Sequence, residues 1–280
     1  MHPLSELPDK DWCKVVGVFT DIDDTLTTDG AITADALTGL QELRRAGLRC
    51  IAITGRPVGW SEPFATAWPL DAIVAENGAM ALSPRPAHFS NKKHRESASS
   101  GHSLLQKSYY QDTATRTANA LRLRQVAQRV LREVPGAKLS EDSAGRETDI
   151  AIDHSEFSHL PPEAIAQVVR IMQSEGMNAT VSSIHINGWI GTHDKLAGAR
   201  WIVRELFGRD LDSEIDRWVY VGDSTNDQLM FEHFPQSVGV ANIRRFEAEL
   251  AHKPRYITRG ERGAGFAEVV SRLLTQIPVK

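Results

Sequence analysis

Val15-Val16-Gly17-Val18-Phe19-Thr20-Asp21-Ile22-Asp23-Asp24-Thr25-Leu26 is an apolar run that ends abruptly in two carboxylates two residues apart, followed by a hydroxyl. The run reads as a buried parallel strand. Carboxylates at its carboxyl end would lie in the crevice where open α/β sheets bind ligands. Asp21 and Asp23 repel each other unless a cation lies between them, so the pair suits a divalent metal beside a nucleophile.

Three further segments repeat the pattern. Leu48-Arg49-Cys50-Ile51-Ala52-Ile53 is a second apolar strand, and it ends in Thr54-Gly55-Arg56-Pro57. Trp218-Val219-Tyr220-Val221-Gly222 is a third, and it ends in Asp223-Ser224-Thr225-Asn226-Asp227. Between them Thr192-His193-Asp194-Lys195 opens a helix over 195–207. A lysine is unfavourable at a helix N-terminus, which argues for an anion beside Lys195. Four strand or helix ends thus offer Asp, Thr, Lys and Asp in that order.

Strands alternate with helices around these points. Ala36, Leu37, Leu40 and Leu43 have helical spacing over 34–46, with Gly47 as a stop, and a strand follows over 72–75. This alternation predicts a parallel sheet with right-handed crossovers. Character changes at Ser83-Pro84-Arg85-Pro86, and the polar stretch 84–108 reads as a mobile loop or a hairpin. A helix is expected over 121–134, with Leu123, Val126, Ala127, Val130 and Leu131 on its buried side. Alternation over 146–153 predicts a half-exposed strand, 161–174 a helix and 180–186 a strand. Residues 84–190 therefore form a second α/β unit inserted into a core made of 1–83 and 191–280. The insert carries 13 basic against 11 acidic residues and the core 19 against 25, so a mildly basic lid faces an acidic core.

The 280 residues carry a formal charge of −4, which gives no support to nucleic-acid binding. The two cysteines, Cys13 and Cys50, lie in or beside apolar segments and read as buried free thiols of a cytoplasmic protein. The first residues lack a signal-peptide core, and no segment is long and apolar enough to cross a bilayer.

Together the four motifs resemble those of the haloacid dehalogenase superfamily of phosphohydrolases, and the resemblance covers nearly the whole chain. Ala75-Glu76-Asn77-Gly78-Ala79, Ser237-Val238-Gly239-Val240-Ala241-Asn242, Tyr256-Ile257-Thr258 and Gly263-Ala264-Gly265-Phe266 are similar to the branch with a large second-type cap. That branch holds the Cof-type, sucrose-phosphate, trehalose-phosphate and mannosyl-3-phosphoglycerate phosphatases. The resemblance implies a Rossmann-like α/β core with an inserted α+β cap. It implies Asp21 as nucleophile through an aspartyl-phosphate, Asp23 as general acid then base, Thr54 as a phosphoryl hydrogen-bond donor and Lys195 as the neutralising cation. It implies Mg²⁺ on Asp21, the Asp23 backbone carbonyl and Asp223, with Asp227 supporting it through water and Asn226 orienting Asp227 or a phosphate oxygen. The cap should set specificity, with Arg146, Asp149, His185 and Asn187 as candidates and Gly55 and Arg56 at the core rim. Asp24 departs from the glycine usual there, and Asp tolerates the backbone angles of such a turn better than most residues.

The expected partner is a small phosphorylated metabolite, a sugar phosphate above all, with neither nucleic acid nor membrane, and the chain acting as a monomer or homodimer. A phosphomannomutase-like mutase is the first alternative and needs a bisphosphate activator. A catalytically idle binding module is the second, and six intact motif residues argue against it. A dehalogenase has no need of Asp223 and Asp227.

Overall fold

The computed structural model describes residues 1–8, 10, 12–85 and 105–277. Among them the larger sheet has nine strands, in the order His2–Pro3, Tyr256–Ile257, Gln236–Gly239, Trp218–Gly222, Gly17–Thr20, Arg49–Ile53, Ala72–Ala75, Met80–Pro84 and Leu105–Tyr109. The first seven run parallel, Met80–Pro84 runs opposite to them, and Leu105–Tyr109, antiparallel to Met80–Pro84, runs again in the direction of the seven.

The apolar runs are continuous because both faces of this sheet are covered. Neighbours on one strand serve opposite sides: Val18 joins the cluster under helices Ala34–Arg45 and Arg262–Leu274, and Phe19 the cluster under helices Lys195–Phe207 and Gln228–His233. From Gly17–Thr20 the chain first builds outward to Arg49–Ile53 and Ala72–Ala75. It later returns to add Trp218–Gly222 on the other side. The crevice at this reversal lies beyond the carboxyl end of Gly17–Thr20, where Asp21 sits.

The second unit is a four-stranded antiparallel sheet in the order Asn178–Val181, His185–Trp189, Asp149–Asp153, Lys138–Leu139, with helices Thr113–Glu133 and Pro162–Ser174. Ile150, Ile152 and Ile186 face those helices. The other face carries Asp149, Asp153, His185, Asn187 and Trp189, paired in register across the central strands.

Several expectations need correction. The strand over 149–153 is buried at every residue, because its polar face is turned onto the core. The expected strand over 180–186 is two strands with a turn at 182–184, where Ser182 N–H donates to the His185 carbonyl at 2.8 Å. Leu131 is exposed on the helix that starts eight residues earlier than expected. Cys13 is exposed, whereas Cys50 is buried. Leu105–Tyr109 pairs with Met80–Pro84, so a boundary at residue 84 falls inside the larger sheet. Its Leu-Gln-Lys-Ser-Tyr sequence is that of a polar edge strand and shows no apolar run. The expectation for the rest of the stretch, residues 86–104, lies outside the described residues. No helix among the described residues is long and apolar enough to cross a membrane.

Candidate active site

Asp21 follows the strand Gly17–Thr20 directly, and its N–H donates to the Val221 carbonyl of the neighbouring strand at 2.9 Å. This fixes the carboxylate at the carboxyl end of the sheet's central strand and buries it. The Lys195 ammonium donates to Asp21 Oδ1 at 2.7 Å and to Asp227 Oδ1 at 2.6 Å. Lys195 is the first residue of its helix, and the N-cap Asp194 accepts from Ala197 N at 2.7 Å. The helix start comes close because Gly78, at φ +105°, has no side chain to meet the Asp194 carbonyl.

Asp227 is fully engaged. Tyr220 Oη donates to Oδ1 at 2.5 Å, and the N–H groups of Asp223 and Ser224 donate to Oδ2 at 3.0 and 3.1 Å. The carboxylate therefore turns back toward Ser224 and does not cap the helix Gln228–His233. A β-carbon at Gly222 would lie 2.5 Å from Asp227 Oδ2, so this turn requires glycine there. Asn226 does not orient Asp227; its Oδ1 accepts from Ser224 Oγ at 2.9 Å, and it lines the space beside Asp21. Asp223 is buried and accepts from Asn242 Nδ2 at 3.1 Å. Asn242 also donates to the Asp24 carbonyl at 3.0 Å and accepts from Arg262 N at 2.9 Å, so it ties the turn after Asp23 to the end of the strand Gln236–Gly239. Asp24 adopts φ +55° in that turn, as expected of a residue that replaces glycine.

Carboxylate oxygens of Asp21, Asp223 and Asp227 lie within 4.8 Å of one another. Burial pushes the Asp21 carboxyl up to about 7 despite Lys195, and burial with the neighbouring carboxylates pushes Asp223 well above its usual value. Hard oxygen donors that are this close and this desolvated suit a divalent cation. The Asp23 side chain is outside the cluster. Its two oxygens accept from Arg56 Nε at 3.0 and 3.1 Å.

Arg56 continues across to the second unit, with Nη1 3.2 Å from Asp142 Oδ2 and Nη2 2.8 Å from Glu156 Oε1, and it rests on the Trp60 ring. His185 Nε2 lies 2.8 Å from Glu156 Oε2. Those partners draw Glu156 down to about 2. Thr54 is buried and its Oγ1 accepts from Arg56 N at 3.0 Å. The Gly55 carbonyl accepts from Arg146 Nη1 at 3.0 Å and Asn187 Nδ2 at 3.2 Å. Arg146 also grips both oxygens of Asp149 at 2.9 Å. It is thus placed as a brace between the two units, with its guanidinium committed to protein partners.

Four residues of the site have no role that the sequence motifs predict: Tyr220, Asn242, Glu76 and Asn77. Glu76 and Asn77 follow the strand Ala72–Ala75 with φ +50° and +55°. The Glu76 carboxylate accepts from Val58 N at 3.2 Å, Glu147 N at 3.0 Å and Thr148 N at 2.6 Å, clamping the second unit to the core. Burial pushes it up to about 7. A polar pair closing a buried strand was the available signal.

Residues 18–132 match the model of the haloacid dehalogenase-like hydrolase family. No curated protein matches the chain significantly. Among solved structures, a Thermoplasma acidophilum protein is similar with a TM-score of 0.65 at 15% identity, covering 93% of this chain and 99% of its own. A haloacid dehalogenase/Cof-like hydrolase of Plasmodium vivax gives 0.64 at 14%, covering 94% and 96%. The sucrose-phosphatase of Synechocystis, solved with sucrose and phosphate, gives 0.62 at 17%, covering 92% and 97%. At these identities the likeness is one of fold.

Proposed function

We propose that this haloacid dehalogenase-like hydrolase is a Mg²⁺-dependent phosphatase of a small phosphorylated metabolite, a sugar phosphate, working through an aspartyl-phosphate. The observation that carries the reading is the buried group in which Lys195 bridges Asp21 and Asp227 with Asp223 beside them.

Asp21 Oδ attacks phosphorus and the bond to the leaving oxygen breaks, while Asp23 gives that oxygen a proton. Asp23 then takes a proton from the water that attacks the aspartyl-phosphate, which frees Asp21 and inorganic phosphate. Lys195 fixes Asp21 and offsets charge gathering on the phosphoryl oxygens, the dominant demand of phosphoryl transfer. Thr54 uses its oxygen to accept from Arg56 N, so its hydroxyl proton is available to the phosphoryl group. Asp21, Asp223 and the Asp23 carbonyl would hold Mg²⁺, with Asp227 behind them. Once bound, the ion supplies charge neutralisation for the carboxylates and the transferring group.

Phosphate release from a panel of sugar phosphates and other phosphomonoesters, with and without Mg²⁺, tests the reading. Metal-dependent release from one class, without a bisphosphate activator and lost in Asp21→Asn, is expected. Release that requires an activator would make the protein a mutase. No release from any ester by folded protein would overturn the phosphatase reading.

A further inference from the structure

The strand Trp218–Gly222 sends Val219 and Val221 to one face of the larger sheet and Trp218 and Tyr220 to the other. Tyr220 thus lies under the helices Lys195–Phe207 and Gln228–His233 and is fully buried there. Its ring packs against Phe231 and Phe234, each centroid 5.7 Å away, which fixes where the hydroxyl can go. A phenylalanine would fill this apolar space with no hydroxyl to desolvate, and burying a hydroxyl costs free energy unless it is hydrogen-bonded. The hydroxyl donates to Asp227 Oδ1 at 2.5 Å. Gly222 clears the path, since a β-carbon there would meet Asp227 Oδ2 at 2.5 Å and the Tyr220 ring at 3.0 Å.

The oxygen that Tyr220 reaches is the one that Lys195 also reaches. Asp227 Oδ1 accepts from the Lys195 ammonium at 2.6 Å, and the same ammonium donates to Asp21 Oδ1 at 2.7 Å. Lys195 is therefore divided between two carboxylates, and the hydroxyl competes with it for one of them only. The N–H groups of Asp223 and Ser224 hold Asp227 Oδ2, so the carboxylate cannot turn away. Without the hydroxyl, the charge on Oδ1 would fall on Lys195 alone and draw the ammonium off Asp21. A lysine does not resist such a shift, because it is a point charge on a flexible stem.

We infer that Tyr220 is a positioning residue for the nucleophile: its hydroxyl takes up part of the charge on Asp227 Oδ1 and so keeps the Lys195 ammonium on Asp21. The consequence for turnover rests on the phosphatase reading; the hold on Lys195 does not.

Two measurements separate them. The first needs no substrate. Proton–nitrogen correlation NMR of the lysine ammonium groups shows those whose protons exchange slowly with water, as a buried ammonium's do. Lys195 is 3% exposed, and its cross-peak is assigned by its absence in Lys195→Met. The peak should be displaced in Tyr220→Phe, a variant that keeps the ring and its packing. An unmoved peak, or no slowly exchanging Lys195 ammonium in the wild type, would overturn the inference.

The second measurement is steady-state phosphate release with Mg²⁺ by the wild type, Tyr220→Phe, Lys195→Met and the double variant. Tyr220→Phe should lower kcat about ten-fold, the scale of one hydrogen bond to a charged group, and leave KM unchanged. In the Lys195→Met background the same substitution should cost less than about two-fold, because residues that act through one another are not additive. Wild-type kcat in Tyr220→Phe would leave the tyrosine a packing role only and overturn the inference. An equal loss in both backgrounds would overturn it too, since Tyr220 would then act by a route other than Lys195. A displaced ammonium peak in a protein that hydrolyses no ester would keep the hold on Lys195 and remove the phosphatase reading.

Discussion

The Arg56 guanidinium holds the Asp23 carboxylate through Nε, at 3.0 Å from one oxygen and 3.1 Å from the other, and reaches Glu156 and Asp142 of the inserted unit with its remaining nitrogens. One side chain therefore orients the group read as the acid–base catalyst and fastens the second unit over it. The arrangement also restrains Asp23, whose carboxylate must leave the guanidinium's full grip to reach a leaving oxygen. Arg56 is 6% exposed and serves three carboxylates, so removing it strands them together. Arg56→Ala should cost about 3 kcal/mol of stability, in the range for breaking a buried ion pair. It should also lower kcat/KM by more than ten-fold, and Arg56→Lys should not restore the loss, because a lysine cannot make the forked contact. Thermal unfolding and steady-state kinetics check both. A fully active, equally stable Arg56→Ala protein would show that the latch is dispensable.

Lys195 is the sole cation in contact with Asp21 and Asp227 among the described residues. Replacing it with Met keeps the length of the chain and leaves two buried carboxylates facing each other. Turnover should fall by about 10²–10³, the scale of removing one preorganised electrostatic partner. Lys195→Arg should recover little, since the planar guanidinium does not fit between two acceptors placed for an ammonium. The rate of phosphate release at saturating substrate is the measurement.

Among the described residues no cation lies within hydrogen-bonding distance of Asp223, which accepts from Asn242 Nδ2 and Thr25 Oγ1. A divalent ion should therefore stabilise the folded state more than a monovalent salt of equal ionic strength. At 100 times its dissociation constant, Mg²⁺ should add about 2.7 kcal/mol, read as a rise in unfolding temperature. Asp223→Asn should remove most of that rise while making the metal-free protein no less stable, because burial and the neighbouring carboxylates already disfavour its charge. A Mg²⁺ shift undiminished in Asp223→Asn would place the ion elsewhere.

The parts that read well in the sequence were those governed by periodicity and by strand ends. Asp21, Thr54 and Asp223 each close a run of apolar residues, and the sheet brings those ends together because the three strands are parallel neighbours and the order of strand addition reverses at Gly17–Thr20. Lys195 declared itself by standing where a helix start disfavours a cation. What could not be read was which polar face meets which. The alternation of Asp149, Ala151 and Asp153 with isoleucines signals two unlike faces, and solvent is the ordinary partner of a polar one. Here it is buried against the core, and Arg146 supplies the charge that makes this tolerable for Asp149. Ser182-Ser183 carried too weak a turn signal to divide two strands. The Leu105–Tyr109 edge strand lacks any apolar pattern and gains its place by backbone pairing with Met80–Pro84. The Glu76 clamp depends on N–H groups at 147 and 148, a contact across some seventy residues that no local pattern encodes.

His193 lies two residues before Lys195, buried at 2% exposure between the rings of Trp189 and Tyr110, with both ring nitrogens without a hydrogen-bond partner. Burial pushes its pKa down to about 4. An unfolded histidine titrates near 6.5, so between about pH 4 and 6.5 the unfolded chain binds the extra proton and the folded chain does not. Stability from this group is therefore complete above pH 6.5 and is lost as the pH falls toward 4, by an amount on the order of 2–3 kcal/mol. Glu76 and Asp21, pushed up to about 7, act in the opposite sense through an overlapping window: their burial costs stability as the pH rises toward 7. The wild-type profile alone thus mixes contributions, and the difference from His193→Phe isolates one of them. Phenylalanine keeps an aromatic ring between Trp189 and Tyr110 and cannot take up a proton. Denaturant unfolding at pH 7 and pH 5 should show His193→Phe losing less stability on acidification than the wild type, by 1 kcal/mol or more on the scale set by the linkage relation, roughly. Parallel losses in the two proteins would mean that the ring gains its proton in the folded state, and that solvent reaches the pocket between Trp189 and Tyr110.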